Sequence, residues 1–243
     1  MNPFAASSRA HDVDSAQPAP EPAVLRPVAS REDWAAVRAL RFAALWRAGD
    51  LAPSGVPTYG DAHDAVPGAV TFLLLERGRA TGSTRCMHAC GDDRRAPSVE
   101  AFRGELDKAI ASAPIVEASL TVVHGATDRA LALLSLFRVH MAACAALDAE
   151  WLLAPVRECE MGFYRRVFEM DILTGSARWP GLALPRVLMG LPYRERAARL
   201  YARLPILAPS GADLRGFRAG AELVLDEEAR RSPSRAAGGD ACA

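Results

Sequence analysis

Pro114-Ile115-Val116-Glu117-Ala118-Ser119-Leu120-Thr121-Val122-Val123 decides how the rest of the chain is read. Its apolar residues Ile115, Val116, Leu120, Val122 and Val123 predict a buried strand. Side chains alternate along a strand, so Glu117 and Ser119 share one face. Either that face is wet, or the carboxyl is buried, in which case it needs a partner or its pKa rises by desolvation. From Thr127 or Asp128 to Leu147 the chain reads as a long helix, with Leu134, Phe137, Met141 and Cys144 on one face. Trp151 to Val156 is a strand after it, completing a strand, helix, strand unit.

Working outward, Val70 to Glu76 and Arg79 to Met87 are two strand-like runs joined across Arg77-Gly78, which predicts an antiparallel hairpin. Val24 to Val28 is a short strand. Ser30 then offers an N-cap, with Asp33 placed in the first turn where a carboxylate suits the helix dipole. The helix that follows carries Trp34, Val37, Leu40 and Ala44 at helical spacing, and Gly49 stops it. Residues 52–60 read as a loop. Downstream come a short helix around Phe163 to Phe168, strand-like Ile172-Leu173, and a strand from Arg186 to Leu191. This order predicts an α/β fold on a mixed central sheet flanked by helices. Residues 1–23 and 230–243 read as disordered tails, too poor in apolar surface to order themselves. Residues 24–193 are the expected domain, and 194–229 a helical C-terminal extension.

The 243 residues suffice for one large core. Lys+Arg and Asp+Glu are equal at 29 each, so no basic field exists to attract nucleic acid. Nearly all the cations are Arg, a bias that reflects GC-rich coding more than recognition. The cysteines, at 86, 90, 144, 159 and 242, are odd in number and irregular in spacing, which points to a reducing cytoplasm over a disulfide framework. No signal-like segment opens the chain, and no run approaches the length of a membrane span.

Two other clusters contain reactive side chains. Asp61-Ala62-His63-Asp64 precedes the hairpin and Arg85 ends it, which makes either a solvated loop or a charge network. Cys86, His88 and Cys90 fall on one strand face, yet no fourth metal ligand is evident, so no metal is expected. His63, His124 and His140 are isolated and read as structural, with His124 close to the strand end.

Taken together, Arg38 and Phe42 on the first helix, Asp61 and Asp64, Gly82-Ser83-Thr84-Arg85, and Glu117 with Ser119 resemble the acyl-homoserine-lactone autoinducer synthases. Cys159 to Phe168 and Arg178 to Met189 are closer to the N-acyl amino acid synthases, so the resemblance spans roughly Val24 to Leu191. It implies a GNAT (acyl-CoA N-acyltransferase-like) fold in which an acyl thioester enters between two splayed strands, Glu117–Val123 and Trp151–Val156. Asp61, Asp64, Arg85, Arg38 and Phe42 would serve the amine substrate. Glu117 would be the general base through water, with Ser119 beside it. Backbone N–H groups near Val122 would polarise the carbonyl, and Val122, Val123 and Arg129 would meet the acyl donor.

This sequence departs from the pattern at two places. Leu120 stands where the family has Arg. Residues 123–130 lack the glycine-rich turn that cradles the coenzyme A pyrophosphate. The second departure favours acyl carrier protein as donor and partner, with acyl-CoA the alternative co-substrate and no bound cofactor expected. The implied function is transfer of a fatty acyl group to the amine of an amino acid or related small molecule. The alternatives are a non-catalytic domain that binds an acyl carrier, or a CoA-dependent acetyltransferase.

Overall fold

The computed structural model describes residues 23–51, 56–89, 96–219 and 223–224. Residues 1–22 of the predicted tail 1–23, the predicted tail 230–243, residues 52–55 of the predicted loop, and residues 220–222 and 225–229 of the predicted extension lie outside these. The order is β1 (Val24–Pro27), α1 (Arg31–Arg47), β2 (Ala69–Glu76), β3 (Arg79–Ala89), α2 (Pro97–Ala101), α3 (Lys108–Ser112), β4 (Ile115–Val123), α4 (Arg129–Ala146), β5 (Trp151–Val156), α5 (Met161–Phe168), β6 (Asp171–Ala177), β7 (Arg186–Pro192), α6 (Tyr193–Arg203), α7 (Gly211–Ala219) and β8 (Leu223–Val224).

Local chemistry sets the boundaries. Ser30 and Asp33 form a reciprocal capping box that starts α1. Arg77 and Gly78 both have positive φ, which gives the β2–β3 hairpin its tight turn. Asp128 caps α4 by accepting a hydrogen bond from the Leu131 N–H at 3.0 Å.

The strands form one mixed sheet in the order β6-β7-β5-β4-β3-β2-β1-β8. β4 and β5 run parallel, and the other paired neighbours are antiparallel. On one face Val116, Ala118 and Leu152 pack with α4, α5 and α6. On the other, Ile115, Val122 and Leu153 pack with α1, α2 and Trp179. Gly82 lets α4 approach β3, since a Cβ there would sit 3.0 Å from Leu136 Cδ1.

The structure adds elements that periodicity did not reveal. α2 and α3 are each five residues long and fill the span between β3 and β4. The segment after β7 is more than a helical extension. α6 begins at Tyr193, and its Ala197 and Leu200 belong to the main core, as do Leu204, Ile206 and Leu207. α7 lies against α4, where Arg138 donates to Asp213 from Nε at 3.1 Å and from Nη2 at 2.5 Å. Phe217 stacks on Phe72 with centroids 6.1 Å apart.

This covering layer explains why α4 is buried nearly all round instead of on one face. It also corrects the expectation that no run approaches membrane-span length. α4 has the length and apolarity to cross a membrane, but 67% of it is buried within the protein.

Candidate active site

The site begins where two parallel strands part. β4 pairs with β5 only at Ile115–Trp151, Val116–Leu152 and Glu117–Leu153. Beyond Glu117 no pairing continues. The β3–β4 register shifts between Ser83 and Arg85, so that Leu120 and Thr121 together oppose Thr84. Leu120 takes φ +49°, the left-handed conformation that an L residue adopts only under local compulsion. This bulge turns the end of β4 away from β5.

A cavity of about 360 Å³ fills the resulting cleft. Its apolar walls include Leu45, Leu120, Val122, Leu133, Phe163 and Trp179. Arg47, Arg129 and Arg157 add charge. Arg157 is held by Glu160 at 2.7 Å, which overcomes the opposing effect of burial and raises its pKa. Arg186 forms a two-pronged pair with Asp50 at 3.0 and 2.9 Å, both side chains buried. The predicted donor contacts Val122, Val123 and Arg129 all line this cavity, as does His124. Arg129 is exposed, and its Nη1 reaches the Val123 carbonyl at 3.5 Å.

Asp61, Asp64, Arg85, Glu117 and Ser119 lie on the α1 side of the sheet and do not line the cavity. Arg85 is fully buried and donates to Asp61 Oδ1, to Asp64 Oδ1 at 3.3 Å, and through Nε to Ser119 Oγ at 3.1 Å. Burial depresses its pKa, but Asp61, Glu117 and Asp64 outweigh that and the net shift is upward. Asp61 and Asp64 are placed by a short 3-10 turn that Asp61 itself caps.

Glu117 has no exposed surface. Its Oε2 accepts from the Ser98 backbone N–H at 2.8 Å and from the Ser98 hydroxyl, while Oε1 has no partner among the described residues. Of the two readings of this face, the buried carboxyl with a partner is the one found. The predicted pair sits on one face, but Glu117 faces α2 and Ser119 joins the arginine network.

Arg38 and Phe42 do not join that network. Arg38 is exposed above the Trp34 ring, and Phe42 stacks on Trp46. The cation that α1 supplies is Arg41, buried and bonded to Asp64 at 2.9 and 2.7 Å and to Thr71 at 3.4 Å. Here burial prevails over Asp64, and the pKa of Arg41 is lowered. Arg41 lies four residues after Val37, on the apolar stripe of the helix, and that position was the available signal.

Tyr59 stands beside the network. Burial, then Asp61, pushes its phenol up to about 12, and its hydroxyl has no partner among the described residues. Ser98 and the Asp50–Arg186 pair, 136 residues apart in sequence, left no local pattern to read.

Among the described residues no group of three or more His, Cys, Asp or Glu side chains is placed to hold a metal ion. Cys86 is buried and His88 half-buried, while Cys90 lies outside the described residues.

The sequence profile of the family described as N-acyl amino acid synthase FeeM matches residues 36–192, which span β2 to β7, most of α1 and the whole of the site. The chain belongs to this family. It is accordingly an N-acyltransferase, and its mixed sheet is a GNAT-type fold.

Solved structures agree on the fold. The N-acyl amino acid synthase FeeM from uncultured soil microbes superposes with TM-score 0.62 at 15% identity, covering 74% of this chain and 96% of that one. The acyl-homoserine-lactone synthase LasI gives 0.53 at 16% identity over 74% and 94%. BjaI, described as a CoA-dependent acyl-homoserine lactone synthase, gives 0.51 at 17% identity over 81% and 99%. No curated protein sequence matches.

Proposed function

We propose that this N-acyltransferase joins a fatty acyl chain, delivered as the phosphopantetheine thioester of an acyl carrier protein, to the α-amine of an amino acid or related small molecule. The observation that carries this reading is the cavity in the β4–β5 cleft, whose apolar walls suit an acyl chain and whose arginines suit the phosphate of the arm. The start of α4 favours the carrier protein over coenzyme A. A pyrophosphate normally seats on free N–H groups at a helix N-terminus. Here the carboxylate of Asp128 already takes the Leu131 N–H and adds negative charge at that point. A single phosphate near Arg129 avoids the conflict.

In the proposed reaction the amine, once deprotonated, attacks the thioester carbonyl and forms a tetrahedral oxyanion. Collapse of that species makes the amide and expels the thiolate, which takes up a proton. Glu117 accepts the amine proton through water at its free Oε1. Ser98 fixes the carboxylate, and Arg85, anchored by Ser119, Asp61 and Asp64, supplies the adjoining positive charge.

The test pairs dodecanoyl–acyl carrier protein and dodecanoyl-CoA at equal concentration with a mixture of amino acids, and measures N-acyl products by mass spectrometry. Preference for the carrier-protein donor is the expected outcome; preference for CoA removes that half of the reading. Glu117→Gln keeps the shape and is expected to lower kcat by about 100-fold or more. Unchanged turnover would exclude Glu117 as base.

A further inference from the structure

On the α4 side of the cleft, three polar side chains form a chain that ends at the cavity. Thr121 Oγ1 is 2.7 Å from Thr84 Oγ1, which is 2.7 Å from His140 Nε2. Thr84 and His140 are fully buried, whereas Thr121 is half-buried and lines the cavity directly after the Leu120 bulge.

The direction of these hydrogen bonds follows from the imidazole. Burial holds the ring neutral, pushing its pKa down to about 3, so one nitrogen carries the single proton. Nδ1 is buried without a partner among the described residues. A buried N–H lacking an acceptor is rarer than an acceptor left unpaired, so we assign the proton to Nε2. Nε2–H then donates to Thr84, and the Thr84 hydroxyl, with one proton, donates to Thr121. The Thr121 proton is left over, and no other partner for it exists among the described residues.

We propose that Thr121 is a catalytic residue. Its hydroxyl donates to the thioester carbonyl oxygen as that oxygen gains negative charge, with Thr84 and His140 as positioning residues that fix the polarity of the chain. The assignment rests on the reading of the cleft as the thioester site. The donor is preorganised, because its acceptor side is already occupied by Thr84. Such a group stabilises the transition state more than the ground state.

The experiment binds dodecanoyl–acyl carrier protein labelled with ¹³C at the thioester carbonyl, without amine, and records the carbonyl stretch by infrared difference spectroscopy. Wild type and Thr121→Ser are expected to show a lower-frequency stretch than Thr121→Val, which exchanges the hydroxyl for a methyl of similar size. With amino acids added, Thr121→Val is expected to lose on the order of 100-fold in kcat with little change in the donor KM. His140→Gln, whose amide can still donate, is expected to retain the shift, and His140→Leu to lose it. Identical stretches in wild type and Thr121→Val, or equal kcat, overturn the assignment. If no amino acid is acylated but the Thr121-dependent shift is present, the proposed amine chemistry fails and the Thr121 assignment stands.

Discussion

His140 is the residue through which pH reaches the core. Its pKa falls from 6.5 to about 3 on folding because the charged ring cannot be buried in α4 against Phe137. Below pH 6.5 the unfolded chain binds a proton that the folded chain refuses. Stability present above pH 6.5 is therefore lost as pH falls towards 3, on the order of 1 kcal/mol per pH unit. His140→Gln is expected to flatten the difference between urea midpoints at pH 7 and pH 5 relative to wild type; an unchanged difference would mean the ring is charged in the fold. Arg77 gives a second prediction at this scale. It is exposed at φ +52° beside Gly78, where Asn is tolerated far better. Arg77→Asn should stabilise the hairpin by up to about 1 kcal/mol, seen as a raised Tm. Arg41 shows the limit of reading single residues from sequence. A cation on an apolar helical stripe is ambiguous until Asp64, placed 23 residues away, is known to meet it.

Elements with strong periodicity were legible before any coordinates. The hairpin turn at Arg77-Gly78, β4, β5, the capped start of α1 and the body of α4 all follow from alternation, helical spacing and capping chemistry. α2 and α3 were not legible, because five-residue helices leave too few repeats for a period to show. The bulge at Leu120 was also hidden, since leucine shows no preference for positive φ and only the register with β3 imposes it. α7 is likewise held by tertiary contacts, the Arg138–Asp213 pair and the Phe217–Phe72 stack. Arg138→Met would leave Asp213 as a buried unpaired carboxylate and is expected to cost about 3–5 kcal/mol. Urea denaturation measures this, and a loss below 1 kcal/mol would show that α7 docks without the pair.

At the scale of the molecule, the parting of β4 from β5 creates the cavity, and the sheet places two differently built regions beside it. One is the cleft with its arginines, and the other is the buried Arg85 network with Glu117 on the α1 side. The fold and the family were legible because their motifs lie in order along most of the chain. The division of labour within the site was not, since Glu117 and Val122 are near neighbours in sequence but only Val122 lines the cavity. In the proposed reaction this arrangement forms an amide from a thioester. The direct measurement incubates the purified full-length protein with dodecanoyl–acyl carrier protein and a mixture of amino acids, following free thiol and N-dodecanoyl amino acid together. One thiol is expected to be released for each amide formed. Thiol release accompanied only by free fatty acid, or no thiol release, would contradict this.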